Sequence, residues 1–267
     1  MELPSLAVKS RAMKHELSRT QIDRLGDRLR KGNITDSDLQ LLDEYRRSFN
    51  EAYEIVAGTI RSQLQLEPTG RPAKSTTSIA EKLRRESIRL TQIQDIAGCR
   101  LIVSDFANQE RIVASLTELF SNRTVIDRRQ KPSHGYRAVH VITVIDKKSV
   151  EIQVRTILQQ LWAELSEKLS DLMDPTIKYG GGDELIKRIL TNASELVASQ
   201  DELESTTLKA HILHSRLISI PDLTEENRAT IMSIREQIDS QKRIAIANRE
   251  QAHKILQAMI EELVKKP

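Results

Sequence analysis

A stretch near the middle of the chain carries polar side chains of three different chemistries at alternating positions. From Val150 to Thr156, apolar residues alternate with Glu151, Gln153 and Arg155, which is the period of a half-buried β-strand. A carboxylate, an amide and a guanidinium in register on one face are suited to holding a metal ion beside a phosphate chain. A solvated polar face on an edge strand produces the same alternation, so this stretch alone leaves both interpretations open.

A second candidate group precedes an apolar run earlier in the chain. Asp95 stands shortly before residues 101–103, which predict a fully buried strand, and Gly98 between them predicts a tight turn. A carboxylate at the mouth of a central strand is placed to hold a hard cation. The alternatives are that Asp95 caps a helix or pairs with Arg100.

A loop rich in proline, glycine and hydroxyl residues covers residues 67–78 and leads into a helix that contains Lys82. Hydroxyls and free backbone N–H groups at a helix N-terminus favour an anion, and Arg71 and Lys74 add positive charge nearby. The spacing does not match a Walker A loop. A capped helix with solvated lysines explains the same residues equally well.

A basic loop, residues 128–137, precedes two strands that the sequence predicts to form a hairpin. The strands are residues 138–146 and 150–156, and Lys147 and Lys148 form the turn. Tyr136 stands at the end of the basic loop. An aromatic side chain among cations is suited to stacking on a nucleobase while the cations meet phosphates.

The composition indicates a helix-rich globular chain. Of 267 residues, 30% are charged and 3% aromatic, and the net charge of +3 permits phosphate-rich ligands without requiring nucleic acid. The single cysteine, Cys99, is predicted to be a small buried side chain. We find no apolar run of membrane-spanning length and no signal-peptide pattern near Met1, so we expect a cytoplasmic protein without a membrane partner.

Helices are predicted on both sides of these stretches. Thr35 is predicted to cap one long helix that runs past residue 60, and the preceding helix ends at Gly32. After residue 156, a helix is expected to bury Trp162, and a boundary is expected near residue 180. Thr224 is predicted to cap a long C-terminal helix that folds back on the domain or pairs with another subunit. Its expected apolar face is Ile231, Ile234, Ile238, Ala245, Ala252, Ile255 and Met259.

Three motifs together resemble the RelA/SpoT nucleotidyltransferase domain over residues 70–168. They are Asp95-Ile-Ala-Gly-Cys-Arg100, Gly135-Tyr-Arg-Ala-Val-His140 and Val150-Glu-Ile-Gln-Val-Arg-Thr156, with Trp162-Ala-Glu following. The resemblance implies an α+β fold, a mixed β-sheet flanked by helices, with N- and C-terminal helical extensions. The expected division is an N-terminal helical extension at 1–66, a nucleotidyltransferase core at 67–180 and a C-terminal helical region at 181–267.

The resemblance also implies an ATP-dependent pyrophosphokinase that transfers pyrophosphate from ATP to the 3′-hydroxyl of GDP or GTP, giving the alarmone (p)ppGpp. Asp95 and Glu151 would be the catalytic residues and would hold Mg²⁺ on the ATP phosphates. Glu151 would also take the proton from the acceptor hydroxyl. The implied ATP-binding residues are Arg71, Lys74, Ser75, Ser78, Lys82, Arg84 and Arg100. The implied acceptor-binding residues are Lys131, Tyr136, Arg137, His140, Gln153 and Arg155.

The length and the absence of a His-Asp dipeptide indicate a small member with a synthetase domain and no hydrolase domain. In such members the C-terminal helices often build a homo-oligomer. Three positions depart from the family: Arg71 and Lys74 are one residue further apart than usual, and two departures lie on the acceptor side. Ser133-His134 stands where an asparagine commonly helps to read guanine, and Ser166-Glu167-Lys168 stands where Glu-His-Lys is common. The alternatives are therefore a toxic family branch that pyrophosphorylates the 3′ end of tRNA, and a non-catalytic nucleotide sensor or helical interaction protein.

Overall fold

The structure, a computed structural model, describes residues 17–221 and 224–265. It is a five-stranded mixed sheet flanked by helices, with further helices before and after it, which confirms the predicted α+β class. None of the described helices combines the length and the apolarity needed to cross a bilayer. The first sixteen residues of the predicted N-terminal extension, and the region near Met1, lie outside the described residues.

Three helices precede the sheet: α1 (Arg19–Lys31), α2 (Asp36–Arg47) and α3 (Asn50–Leu64). Gly32 ends α1 in the left-handed conformation, and Thr35 caps α2 through a reciprocal bond with Asp38, as predicted. The prediction of one long helix after Thr35 was wrong. The hydroxyl of Ser48 donates to the Tyr45 carbonyl at 2.6 Å. This side-chain bond competes with the helical ladder and separates α2 from α3.

The sheet order is β1-β2-β5-β4-β3. Strands β2 and β5 are parallel, and the other neighbours are antiparallel. The predicted hairpin between β4 and β5 is present, but its turn is one residue earlier than predicted: Asp146 and Lys147 have positive φ, and Lys148 begins β5. The strands are β1 (Thr69–Arg71), β2 (Ala97–Val103), β3 (Arg123–Asp127), β4 (Val139–Ile145) and β5 (Lys148–Thr156).

Two details of the sheet correct the sequence interpretation. The predicted loop at residues 67–78 contains the short edge strand β1, whose three residues are all exposed and give no alternation to read. Gly98 lies inside β2 rather than in a turn, where a side chain would approach the Glu151 carbonyl to about 3.0 Å. Strand β2 is also not fully buried, because Ile102 on the face of Gly98 is exposed.

One face of the sheet forms the main apolar core. Ile152 and Val154 of β5 are fully buried there, together with Leu101 of β2 and residues from α1, α2 and α3. Cys99 belongs to the same core, as predicted. The N-terminal helices and the sheet therefore share one core, and the division at residue 66 remains a prediction. The remaining helices around the sheet are α4 (Thr76–Arg85), α5 (Phe106–Leu119) and α6 (Ile157–Leu172).

The C-terminal region is a long hairpin of α7 (Glu184–Ile218) and α8 (Glu225–Lys265). Thr224 caps α8 as predicted, since its hydroxyl accepts from the Asn227 N–H at 3.2 Å. The helix folds back on α6 and α7, which is one of the two arrangements expected. The predicted apolar face is partly wrong, because Ile234 and Ile255 are exposed. The buried positions are Ile231, Ile238, Ala245, Ala252, Leu256 and Ile260, four of which fall at seven-residue intervals.

A buried polar chain fastens α7 to the sheet. Gln109 of α5 donates to the Val154 carbonyl and to Gln159 of α6, both at 2.8 Å. Gln159 in turn donates to the Asp201 carboxyl of α7 at 2.8 Å. Burial raises the pKa of Asp201 to about 6, although the hydrogen bond from Gln159 and the charge of Arg129 oppose this shift. Asp201 is therefore a titratable group that joins the C-terminal hairpin to the core.

We expect Asp201→Asn to stabilise the protein at neutral pH. Because the folded-state pKa is above that of the unfolded chain, the native state binds more protons between pH 3.8 and about 6. The free energy of unfolding therefore falls as pH rises through this window, by up to about 3 kcal/mol. Urea unfolding of both proteins at pH 5 and pH 7.5 should show the advantage of the variant growing with pH. Exposed Asp171→Asn is the control, and an advantage independent of pH would contradict the assignment.

Candidate active site

The polar face of β5 lies opposite the apolar core. Register places Glu151 between Gly98 of β2 and Ile142 of β4, and Gln153 between Arg100 and His140. Because side chains alternate along a strand, all of these residues stand on the same face of the sheet. The predicted alternation at residues 150–156 is thus present in β5, but the strand lies in the middle of the sheet and not at its edge.

A closed ring of hydrogen bonds runs over this face. Arg155 donates to the Tyr136 hydroxyl at 3.0 Å and to the Gln153 amide oxygen at 2.8 Å. The Tyr136 hydroxyl lies 2.9 Å from Nε2 of His140, and Nδ1 of His140 lies 2.9 Å from Glu151. Gln153 completes the ring by donating to the other Glu151 oxygen at 2.7 Å.

The ring fixes the proton positions of its members. A carboxylate accepts hydrogen bonds only, so Nδ1 of His140 carries a proton that it donates to Glu151. Burial raises the pKa of Tyr136 despite the nearby Arg155 charge, so the hydroxyl keeps its proton within the ring. Burial alone would raise the pKa of Glu151, but the bonds from His140 and Gln153 lower it on balance. Glu151 is therefore held as an anion.

A second carboxylate is held between two lysines. Nζ of Lys74 lies 2.7 Å from one oxygen of Asp95, and Nζ of Lys82 lies 2.9 Å from the other. Burial of Asp95 raises its pKa, and the two ammonium charges outweigh that effect, so the net shift is downward. Asp95 thus neither caps a helix nor pairs with Arg100. Asp95 instead pairs with Lys74 and Lys82, two of the cations near the predicted anion site.

Helix α4 positions this second group. Ser75 caps the helix by accepting the Ser78 N–H at 3.2 Å, and the two hydroxyls lie 2.8 Å apart. The backbone N–H of Lys74 bonds to the Ile96 carbonyl, two residues before Gly98 in β2. The start of α4 is therefore tied to the start of β2, which places Lys74 beside Asp95.

A cleft of about 430 Å³ brings the two carboxylates together. Of the predicted site residues it is lined by Lys82, Asp95, Tyr136, His140, Glu151, Gln153 and Arg155. The predicted residues outside this lining are Arg71, Lys74, Ser75, Ser78, Arg84, Arg100, Lys131 and Arg137. Arg71, Arg84 and Lys131 are exposed, whereas Arg137 turns away and donates to the Arg129 carbonyl at 2.6 Å.

Two guanidinium groups, one half-buried and one buried, each have a buried N–H donor without an acceptor. Nε of Arg100 and Nε of Arg155 are the buried side-chain atoms in the described ranges that lack a hydrogen-bond partner. Burial lowers the pKa of Arg100, and the positive charge of Arg155 lowers it further. Unpaired N–H groups and repelling charges at one place favour an anionic ligand, which would satisfy both.

The two carboxylates fit a magnesium ion bound together with a nucleotide. Both are anionic, and the charge of Asp95 raises the pKa of Glu151, so the two groups interact electrostatically. Within residues 17–221 and 224–265 there is no cluster of three or more acidic, histidine or cysteine side chains arranged for a metal. Mg²⁺ commonly takes one or two carboxylates and completes its coordination with phosphate oxygens and water.

Comparison with known proteins agrees with this geometry. Residues 70–170 match the family model described as the region found in RelA/SpoT proteins. The GTP pyrophosphokinase YjbM of Bacillus subtilis is 37% identical over 150 residues, which cover 50% of this chain and 67% of that protein. The chain belongs to the RelA/SpoT family.

Other relatives share the same region. An uncharacterized protein of Mycobacterium tuberculosis is 36% identical over 132 residues, 48% of each chain, so the match spans about half the length of that relative. The crystal structure of small alarmone synthetase 1 from Bacillus subtilis superimposes with a TM-score of 0.48 at 28% identity, covering 67% of this chain and 99% of that chain.

The cleft and its surroundings contain residues that the sequence interpretation did not select. Gln160, whose oxygen accepts from Arg155 at 2.9 Å, gave no signal because it lies one helical turn beyond the motif. The unselected residues that line the cleft are Glu86, Ile88, Gln92, Gln94, Ile126, Arg128 and Ile142. Among the predicted residues, the approach of His140 to Glu151 could be read from the pairing of β4 with β5.

We expect Tyr136→Phe to lower the free energy of unfolding by about 1 kcal/mol, because Arg155 and His140 each lose a partner in the ring. Tyr179→Phe is the matched control, since Tyr179 is exposed and contacts Arg85 through its ring. Chemical denaturation of the two variants and the parent compares them directly. Equal stability of the Tyr136 and Tyr179 variants would show that the ring is not closed through the hydroxyl.

Proposed function

We propose that this chain transfers pyrophosphate from ATP to the 3′-hydroxyl of GDP or GTP, forming (p)ppGpp. The observation that carries the proposal is the pairing of two anionic carboxylates, Asp95 and Glu151, in one cleft with cations on both sides. A relative of which this chain covers 67% is named a GTP pyrophosphokinase, which supports a guanine nucleotide as the acceptor.

We assign ATP to the side of the cleft formed by α4 and Asp95. Lys74 and Lys82 are held there by Asp95, and the hydroxyls of Ser75 and Ser78 lie at the N-terminus of α4. Backbone N–H groups at that end carry partial positive charge and suit phosphate oxygens. Arg100, whose Nε is unpaired, lies next to Gln153 in the sheet and would add positive charge.

We assign the acceptor nucleotide to the side formed by the ring. Tyr136 lines the cleft, and Arg155 lies 4.9 Å from the centroid of its ring. A nucleobase would stack on the remaining aromatic surface, with the acceptor phosphates near Arg155 and Arg128. The 3′-hydroxyl then faces Glu151, which His140 and Gln153 hold in position.

Catalysis in this arrangement depends on positioning and charge. Glu151 accepts the proton of the attacking hydroxyl, and the bond from Nδ1 of His140 orients the carboxylate. Lys74 and Lys82 balance the phosphate charge that remains on the AMP leaving group. Asp95 and Glu151 would hold Mg²⁺, which supplies Lewis-acid neutralisation of the triphosphate when bound.

A second acceptor is favoured by the position of the basic loop. Ser133 and His134 are exposed and lie outside the lining of the cleft, so neither reads a guanine edge there. A terminal adenosine would stack on Tyr136 equally well, and exposed cations such as Lys131 would meet the backbone of tRNA. We therefore propose tRNA 3′-pyrophosphorylation as the alternative activity.

We expect Asp95→Asn and Glu151→Gln each to reduce pyrophosphate transfer by about 100-fold or more, since each removes an anionic ligand proposed for Mg²⁺ and Glu151→Gln also removes the proposed proton acceptor. The assay follows γ-labelled ATP with Mg²⁺ and GDP, GTP, AMP or total tRNA in turn. Exposed Glu118→Gln is the control and should match the parent.

Each outcome of this assay has a clear meaning. Label on GDP or GTP supports alarmone synthesis, and label on tRNA alone replaces it with the alternative. Transfer to no acceptor would indicate a non-catalytic nucleotide sensor. Near-parental turnover of either carboxamide variant, with an unchanged circular dichroism spectrum, would refute the assigned roles of the carboxylates.

We propose that a second copy of the chain covers the far end of the α7–α8 hairpin. Apolar side chains are exposed there on both helices, among them Leu213 at 58% and Met232 at 62%. Single exposed apolar residues are ordinary, but several on one two-helix arm favour a partner surface. Arg228 and Arg235 lie along α8 beside this surface.

We expect Leu213→Glu with Met232→Glu to lower the mass measured by light scattering, because charges would be buried at the interface. Both side chains are exposed, so the fold of the single chain should be retained. Deleting α8 is a poorer test because Leu256 and Ile260 pack in the core with α6. An unchanged mass for the double variant would show that the arm does not join subunits.

A further inference from the structure

Helix α7 reaches the basic loop, residues 128–137, at a single buried serine. Ser194 is 4% exposed and lies on the side of α7 that faces the sheet domain. Its hydroxyl donates to the Gly135 carbonyl at 2.8 Å and accepts from Nε of Arg137 at 3.3 Å. One hydroxyl therefore holds the residues immediately before and after Tyr136.

The remaining contacts of the basic loop leave Ser194 as its polar anchor on α7. Gly135 has φ +89° and lies so close to Trp162 that a Cβ atom would come within 2.7 Å of the indole. Trp162 is itself fixed, since its Nε1 donates to the Leu190 carbonyl of α7 at 2.9 Å. Arg137 closes the base of the loop through the Arg129 carbonyl at 2.6 Å.

These contacts determine where Tyr136 stands. The Tyr136 hydroxyl contacts His140 and Arg155. These contacts require that the backbone on both sides of Tyr136 keeps its position over β5. Ser194 adds one restraint on each side, directly at the Gly135 carbonyl and through the Arg137 side chain, to the backbone pairing of Tyr136 with Ser133 inside the loop. A serine hydroxyl has one donor and can accept at the same time, and both functions are used here.

We propose that Ser194 is a positioning residue for the acceptor nucleotide, because it fixes the basic loop with Tyr136 over the polar face of β5. The inference rests on the proposed pyrophosphate transfer and adds to it a residue of the C-terminal hairpin. Ser194 lies beyond residues 70–170, the segment that matches the family model. The acceptor side of the site is thus completed by a helix outside that segment.

The kinetic test compares Ser194→Ala with Ser199→Ala, an exposed serine on the same helix. Ser194→Ala should raise the KM for GDP or GTP about five- to tenfold, the loss expected for hydrogen bonds of ordinary strength. The KM for ATP and kcat at saturating acceptor should stay within about twofold, because Lys74, Lys82 and Glu151 keep their partners. Ser199→Ala should match the parent in all three quantities.

The chain's single tryptophan provides a readout that does not depend on activity. Since the basic loop covers Trp162 at Gly135, loosening the loop should increase quenching of Trp162 fluorescence by acrylamide. We expect increased quenching in Ser194→Ala and also in Gly135→Ala, where the added methyl would clash with Trp162 and crowd Ser194 and so displace the loop. Ser199→Ala should leave quenching unchanged, and the melting temperature of every variant checks that the fold is intact.

The possible results separate this inference from the proposed function. An unchanged acceptor KM in Ser194→Ala, or an equal rise in the KM for ATP, would overturn the positioning role. If the parent protein transfers nothing to any acceptor, the proposed function fails. Quenching with GDP or GTP added to the parent and Ser194→Ala then decides the inference. Nucleotide protection of Trp162 that is weaker in Ser194→Ala supports it, and identical protection or none overturns it.

Discussion

The register of β5 is the constraint on which the rest of the site depends. This strand lies between β2 and β4, so both of its edges are fixed by backbone hydrogen bonds. Its inward face supplies Val150, Ile152 and Val154 to the core, and its outward face supplies the carboxylate, amide and guanidinium of the cleft. A slip of one residue would exchange the two faces and bury Glu151 among aliphatic side chains. Burial of an unpaired charge would cost far more than any single contact in the core provides. The same pairing that assembles the core therefore also specifies the site.

The two carboxylates at the site are fully paired, whereas two arginines nearby are not, and this difference indicates that the site is suited to an anion. Asp95 is neutralised by Lys74 and Lys82, and Glu151 is held by donors from His140 and Gln153. Arg100 and Arg155 have no carboxylate partner of this quality, and each keeps a buried Nε without an acceptor. Each guanidinium thus keeps one buried N–H donor that the described residues do not satisfy, which carries a cost. Phosphate oxygens would supply the missing acceptors, so the two arginines favour an anionic ligand.

Local sequence patterns were sufficient to predict the features that depend on residues close together in the chain. The alternation of β5, the hairpin turn and the Thr35 and Thr224 caps were all predictable, because each follows from side chains within a few positions. The failures have a different origin. Strand β1 forms because β2 pairs with it. The break between α2 and α3 depends on the hydrogen bond from the Ser48 hydroxyl to the Tyr45 carbonyl. The approach of Lys74 and Lys82 to Asp95 joins positions up to 21 residues apart and requires the complete fold. Residue types thus indicated which groups carry the chemistry, whereas their partners were set by tertiary packing.

The C-terminal hairpin cannot be treated as an appendage to the sheet domain. Two of its contacts through α7, at Ser194 and Asp201, lie about two helical turns apart. Asp201 accepts a hydrogen bond from Gln159, which is itself bonded to Gln109, on one side of β5. Ser194 binds the basic loop, which lies over the polar face of β5. Since a straight helix of 35 residues is about 50 Å long, a rigid displacement of its free end would move both anchors together. Ser194 and Asp201 thus tie the same helix to the basic loop and to the buried amide network, so the hairpin and the sheet domain form one packed unit.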